Sequence, residues 1–435
     1  MHDMTGSYPT TPVDKSRQLQ RRLYLAAKRN RHRRFHALYD RIYRPDVLWR
    51  AWQDVKRNGG KPGVDNISIE TIDQGDVQSF LSSIAEDLKV GRYRPKPVLR
   101  VYIPKPDGRK RPLGIPTVRD RVVQQAAKIV VEPIFEANFQ PNSYGFRPKR
   151  SAQQAVKAVK QSLVRGWHVF EADIQGYYDA IDHDLLLNLV QRRVSDRRVL
   201  KLIRQWLKAG ISEDGQVDRS TMGTPQGGVI SPLLANIYLH VLDMYWKEQY
   251  SNLGRLIRYA DDFVVVCQSK GKAQQAHAVI CQIMDRLKLT LHPEKTNVVD
   301  PCDAGFDFLG FHFHKMKSRT TGKIAPYMWP SQKAMKSIKN KMRLITDRSQ
   351  LYKIPEEVVS QVNVIVRGWR NYFQCGNSTK WFQTLDVFVE KRLWRLQSAK
   401  VKIRSRYRRI SEFSRWYESS GIENFYLPGR CGCHS

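Results

Sequence analysis

The stretch Arg258-Tyr259-Ala260-Asp261-Asp262-Phe263-Val264-Val265-Val266 constrains this chain more than any other. Leu256-Ile257 precede the two adjacent carboxylates and Phe263 to Cys267 follow them. That pattern predicts a β-hairpin with acidic residues at its tip. A desolvated carboxylate is costly without a partner. The partner that suits a pair of them is a hard divalent cation. Two such ions about 3.5–4 Å apart can clamp the attacking and leaving oxygens of a phosphoryl transfer.

The charge balance narrows the substrate. A net charge of +33, from 74 Lys and Arg against 41 Asp and Glu, points to a polyanion, with nucleic acid the first candidate. Hydrophobic residues make up 41% of 435 positions, enough to bury a large core in two or three domains, and this excludes global disorder. Six cysteines, at 267, 281, 302, 375, 431 and 433, show no disulfide framework, so a reducing compartment is expected. Cys431-Gly432-Cys433-His434 lacks the second pair of ligands that a zinc site needs and reads as a frayed, basic terminus. No apolar run reaches the length of a transmembrane helix. The Arg-rich N-terminus resembles a transit peptide, but Asp3 and Asp14 argue against one.

Along the chain, nine Lys and Arg with no acid fall between Lys15 and Arg34. Leu19, Leu23 and Ala26 or Ala27 give this segment the spacing of a basic amphipathic helix, readable equally as a nucleic-acid contact or a solvated tail. A helix is predicted from Asp46 to Asn58, stopped by Gly59-Gly60, and another over Val77–Val90. Val98–Ile103, Pro106-Asp107-Gly108 and Lys110–Ile115 predict a basic hairpin carrying Lys105, Arg109, Lys110 and Arg111, suited to a triphosphate. Helical spacing resumes over Val118–Phe135 and again after Ser151, a good N-cap. The strand His168–Ile174 delivers Asp173 at its end. A long helical region is expected over Asp184–Leu207, then the loop Thr224-Pro225-Gln226-Gly227-Gly228, a helix to Trp246, the acidic hairpin, and a helix over Lys272–Lys288. A short strand, Asn297 to Val299, and one alternating strand over Phe306–Phe313 complete this part. Beyond Lys315 three helical patterns, 331–346, 355–373 and 381–397, have basic outer faces.

Asp173 and Asp261 are far apart in sequence, but each ends or turns a strand, and one sheet can unite them. Tyr259-Ala260-Asp261-Asp262, Pro225-Gln226-Gly227-Gly228, Ala172-Asp173-Ile174 and Ile103-Pro104-Lys105-Pro106 stand in the order found in reverse transcriptases. More narrowly, the chain resembles the group II intron-encoded reverse transcriptase/maturase family over roughly residues 40 to 400. The resemblance implies an α+β fold, a right-hand polymerase with fingers and a ferredoxin-like palm, followed by an all-α thumb/maturase domain. The expected division is a basic segment over 1–45, fingers and palm over 46–315, thumb and maturase domain X over 316–410, and a tail over 411–435.

The resemblance also implies roles. Asp173, Asp261 and Asp262, with the Ile174 carbonyl, would hold two Mg²⁺ ions. Lys105 and Arg111 would meet the incoming triphosphate, and Gln226 would line the nucleotide pocket. Tyr178, with Tyr177 as rival, would lie under the sugar and exclude a 2′-hydroxyl. Lys295 would be the proton donor to pyrophosphate or a plain surface lysine. Phe308-Leu309-Gly310 would grip the primer. The implied function is RNA-directed DNA synthesis with a maturase role in splicing and retrohoming. The implied partners are group II intron RNA, an RNA template, a DNA primer or target, and dNTPs, in the bacterial cytoplasm and without a membrane. Splicing-only maturases and reverse transcriptases co-opted for repair or defence are the alternatives. No endonuclease motif is present, so second-strand cleavage is expected from elsewhere.

Overall fold

The computed structural model describes residues 11–104, 108, 110–213, 216–218, 222–224, 227–400 and 406–427. The fold is α+β, with helices around three sheets.

The first sheet joins β1 (Val98–Pro104) and β2 (Lys110–Ile115), an antiparallel pair with Ile103 opposite Arg111. The tip residues Lys105, Pro106, Asp107 and Arg109 lie outside the described residues. The second sheet is built around β3 (His168–Asp173), whose Asp173 pairs with Asp262 of the neighbouring strand. The first sheet gains β4 (Ile211–Glu213), parallel to β1, and β5 (Gln216–Asp218). The acidic hairpin is β6 (Gly254–Tyr259) and β7 (Asp262–Cys267), and β8 (Asn297–Val299) closes the other side of β3. The order is β6-β7-β3-β8.

Both faces of this sheet are buried. Phe170, Ala172, Leu256, Phe263 and Val265 face one apolar core with the N-terminal and central helices. Val169, Ile257, Val264 and Val266 face a second core with the helix Ala152–Leu163 and the C-terminal helices. Strict alternation along each strand divides the two sets. A sheet covered on both sides reads as a near-continuous apolar run, which is what Phe263 to Cys267 is.

Several expectations needed revision. The region 184–207 is two helices, His183–Gln191 and Arg197–Leu207. Asp196 caps the second, accepting from Arg198 N, and its other oxygen accepts from Leu38 and Tyr39 N, tying the N-terminal arm to the break. The segment 306–313 is not one strand. β9 (Phe306–Phe308) and β10 (Phe311–Lys317) fold back on each other at Leu309 and Gly310, both with positive φ. β10 runs across the expected 315/316 boundary and pairs with β11 (Ile324–Pro330), a strand that its two prolines hide in the sequence.

The N-terminal basic helix, Pro12–Arg29, buries Leu19, Leu23 and Ala27 against the helix Val118–Glu136, so it is part of the core rather than a solvated tail. The described part of the expected tail, 411–427, packs on the fold: a helix spans Arg406–Ser419, and Glu423 bonds Arg367 and Arg370. Phe425 is 1% exposed, edge-on to Trp369 at 5.5 Å, with its N–H donating to Asp386. The Cys431–His434 segment lies outside the described residues. No helix among the described residues is long and apolar enough to cross a membrane.

Phe425→Ala should therefore cost about 3–5 kcal/mol, the range for emptying a buried aromatic site. Denaturant unfolding followed by tryptophan fluorescence checks this, and a change below ~1 kcal/mol would mean that the segment contributes little to the core.

Candidate active site

The hairpin tip is a two-residue turn, Ala260-Asp261, closed by the Tyr259–Asp262 pair. Ala260 has φ +58, at the first turn position, where glycine is the usual occupant of a hairpin turn with positive φ. An L-residue there costs on the order of 1 kcal/mol, so neighbours must impose it.

Arg258 does so. Its side chain is wholly buried and makes a two-pronged pair with Asp243, Nε to Oδ1 at 3.0 Å and Nη2 to Oδ2 at 2.5 Å. Nη1 also donates to Asn236 Oδ1 at 3.1 Å and to the Ala260 carbonyl at 2.8 Å. Burial pulls this guanidinium pKa down, but Asp243 outweighs that and holds it above its ordinary value. Asn236 donates onward to the Gly145 carbonyl at 2.8 Å, and Asn142 to Asp243 at 3.2 Å. The loop Asn142–Gly145 pairs with Arg258 through Arg258 N to Asn142 O and Tyr144 N to Arg258 O. A Cβ on Gly145 would lie 2.3 Å from Ala260 N, so only glycine allows this approach.

Two of the three expected carboxylates are cross-strand neighbours and the third lies in the adjoining turn. Asp173 and Asp262 are directly opposed on β3 and β7, and Asp261 is next in line. Burial, then Asp173, Asp261 and Glu171, push Asp262 up to about 7, against the pull of Lys295. Burial and Asp173 raise Asp261, against Arg111 and Arg258. Glu171, one residue inward along β3 on the opposite pleat from Ala172, is pushed up to about 7 by burial and by Asp307; the sequence reading gave it no role. This mutual repulsion at a strand end suits a donor set for a hard divalent cation. Among the described residues no three Asp, Glu, His or Cys side chains converge on one point, and Asp173 instead receives Lys295 Nζ at 2.5 Å. Lys295 sits in the turn Pro293–Lys295, held beside Asp173 by His292 N donating to the Asp173 carbonyl.

Tyr177 and Tyr178 separate clearly. Tyr177 donates its hydroxyl to the Ala235 carbonyl in the core. Tyr178 is pushed up to about 12 by burial and by Asp261, with Arg111 pulling the other way, which places its ring among the site's charges. Its carbonyl accepts from Thr224 N at 2.7 Å. Gln226, like Lys105, lies outside the described residues, but both flanks of its loop are fixed. A Cβ on Gly223 would press on Asp179 at 2.9 Å, and one on Gly227 on the Gly114 carbonyl at 2.4 Å. Arg111 is exposed on β2 and reaches the site electrostatically. Ile174 bridges to Leu291 at the strand end. Phe308, Leu309 and Gly310 form the β9–β10 turn, with Tyr372 and Ser331 N donating to the carbonyls of Leu309 and Gly310. β9 lies against β7.

Residues 103–313 match the family model for reverse transcriptase (RNA-dependent DNA polymerase), and residues 335–416 match the maturase-specific domain of group II introns. The chain belongs to the group II intron reverse transcriptase/maturase family. It is 37% identical to protein YkfC of Escherichia coli (strain K12) over 69% of this chain and 89% of that one. It is 42% identical to the group II intron-encoded protein LtrA of Lactococcus lactis subsp. cremoris, over 48% of this chain and 35% of LtrA. The putative COX1/OXI3 intron 1 protein of Saccharomyces cerevisiae is 28% identical over 61% of this chain and 38% of its own. The chain thus matches most of YkfC and about a third of the other two.

Arg258→Met strands a buried carboxylate and should destabilise this family member by about 3–5 kcal/mol. Adding Asp243→Leu should restore much of that loss in chemical unfolding; strict additivity would mean that the pair is not coupled. In chelator, stability should also fall as pH rises from about 4 to about 7, because folded Asp262 keeps a proton that the unfolded chain has released. Asp262→Asn should flatten that component of the pH profile. An unaltered slope would place the strain elsewhere.

Proposed function

We propose that this chain copies RNA into DNA at the β3/β7 carboxylates, and that its C-terminal helices and N-terminal segment bind the intron RNA whose splicing it assists. The observation that carries this reading is the direct opposition of Asp173 and Asp262, with Asp261 in the intervening turn, inside the reverse-transcriptase match. The maturase-specific match and the likeness to an intron-encoded protein support the second role.

In this reading β1–β2 and the N-terminal helices are the fingers, β3, β6, β7 and β8 the palm, and the helices from Gln332 the thumb. Asp173, Asp261 and Asp262, with the Ile174 carbonyl, would hold two Mg²⁺ ions, with Lys295 giving up its place on Asp173. When bound, these ions lower the pKa of the primer 3′-hydroxyl and neutralise the triphosphate. Arg111 and Lys105 orient the phosphates, Arg by paired donors and Lys as a point charge. The Tyr178 ring, buried and fixed through its backbone by Thr224, lies under the sugar, where a 2′-hydroxyl collides. Gln226 is the residue that the family resemblance assigns to the same pocket. Lys295 carries a proton at the edge of the carboxylates and hands it to the departing pyrophosphate. Phe308-Leu309-Gly310 turns backbone toward the primer, stiffened by Tyr372. The loop and hairpin network around Arg258 keeps these groups still, so their charge needs little reorganisation during the reaction.

An oligo(dT)-primed RNA template with Mg²⁺ and dNTPs should be extended by the wild-type protein. Asp261→Asn should slow extension by more than about a hundredfold, the scale for losing one charge-stabilising group. Full activity in that variant would remove the carboxylates from the chemistry. Tyr178→Ala should raise ribonucleotide incorporation relative to dNTP; unchanged selectivity would place the sugar filter elsewhere.

A further inference from the structure

Away from the carboxylates, a cavity of about 840 Å³ opens between the N-terminal arm and the helix Ser231–Tyr245. Ile237 and Met244 line it, each one residue on from Asn236 and Asp243, which support the hairpin. One residue is about 100° of helix, so the cavity occupies a different face. Its volume is that of a small-molecule site.

The walls are fixed. Arg193 donates to the carbonyls of Ala27, Asn30 and Arg31, capping the C-terminus of the first helix. Phe35 N donates to the Arg193 carbonyl at 2.8 Å and Ser195 N to the Phe35 carbonyl at 2.9 Å. Phe135 and Ile237 make the interior partly apolar, and the side chains of Asn138 and His240 also line it; Asn138 Oδ1 and His240 Nδ1 are themselves enclosed by protein without a hydrogen-bond partner. Such atoms are costly to leave unpaired. Burial pushes His240 down to about 4, so its ring is neutral near pH 7 and offers a hydrogen bond rather than a charge. Arg31, Arg34 and Arg192 stand exposed at the rim, with no carboxylate partner among the described residues. Glu248 is the one acid in the described lining.

An apolar slot lined by the Asn138 amide and the His240 imidazole, with three arginines at its mouth, matches one nucleotide unit: base inside, phosphates at the rim. We propose that the cavity takes a single extruded nucleotide of a bound RNA, with Asn138 and His240 on the base edge and Arg31, Arg34 and Arg192 on the flanking phosphates. This deepens the RNA-binding part of the proposed function and rests on it. It does not depend on the carboxylate chemistry.

The test uses the intact protein and two fluorescein-labelled RNA hairpins, identical except for one unpaired nucleotide in the stem. The bulged hairpin should bind about tenfold tighter, the scale of one base–protein contact. His240→Phe and Asn138→Leu, checked for folding by thermal melting, should each erase that preference while leaving binding of the perfect hairpin unchanged. Arg192→Glu should weaken the bulged hairpin more than the perfect one. No preference in the wild type, or a preference that survives both floor variants, overturns the proposal. Competition by free AMP as strong as by the bulged hairpin assigns the cavity to a free nucleotide and also overturns it. Primer extension on an unstructured template should be unaffected by the floor variants. If wild-type protein fails to extend, the polymerase reading falls while the hairpin comparison still decides the cavity.

Discussion

The Arg258–Asp243 pair is the interaction on which the geometry of the acidic hairpin tip depends. Both side chains are fully buried. Desolvating two ions is favourable only when their remaining donors and acceptors are matched, and here they are. Arg258 spends its other donor on Asn236 and on the Ala260 carbonyl, and Asp243 accepts also from Asn142. The pair thereby links a helix, a loop and the strained hairpin tip through one guanidinium. A lysine has neither the planar fork nor enough fixed donors for these contacts. Geometric specificity, rather than net stability, is what such a buried network supplies at this turn.

The doubly covered sheet explains where the acids stand. Alternate residues of β3, β6 and β7 are committed to two different cores. No mid-strand position can carry a functional carboxylate without a large desolvation cost. Strand ends are the remaining places, and Asp173, Asp261 and Asp262 take them. Glu171 is the exception on β3, and its pKa is raised accordingly. The second core also connects site and C-terminal helices: Phe308 and Phe311 flank the β9–β10 turn and share that core with Phe373 and Phe382.

Much of this was legible in the chain. Short-period patterns marked β3, the acidic hairpin and most helices, because periodicity reports burial directly. The carboxylates were legible because acids at the end of apolar runs have few structural uses. The support was not. Arg258 sits in plain sight before Tyr259, but its partner Asp243 is fifteen residues back on a helix whose pattern is apolar almost all round. Nothing local distinguishes Asp243 from a solvent-facing acid. Gly145 likewise looks like any loop glycine until its contact with Ala260 is seen. The β9–β10 fold-back is hard to see because Phe306/Phe308 and Phe311/Phe313 each alternate, and the shift of phase at Leu309-Gly310 is the one local sign of the turn. β11 is hidden in the sequence because prolines at 326 and 330 demote it on propensity, although its pairing with β10 leaves it at the sheet edge, where proline is tolerated.

A chain of net charge +33 holding carboxylates that resist ionisation poses an electrostatic question. Global charge does not answer it, because fields between exposed groups fade beyond roughly 8–10 Å in physiological salt. The local balance decides. Lys295, Arg111 and Arg258 are the cations acting on Asp261 and Asp262, and they do not outweigh burial and the neighbouring acids. Arg258 is already committed to Asp243. The remaining deficit of positive charge is concentrated within one strand end, where a compact divalent ion matches it far better than another long basic side chain. The surface cations, spread over the N-terminal and C-terminal helices, act at a different range and suit a different target, the phosphate backbone of the proposed RNA. The two charge systems of opposite sign can coexist because the sheet and its two cores keep them apart.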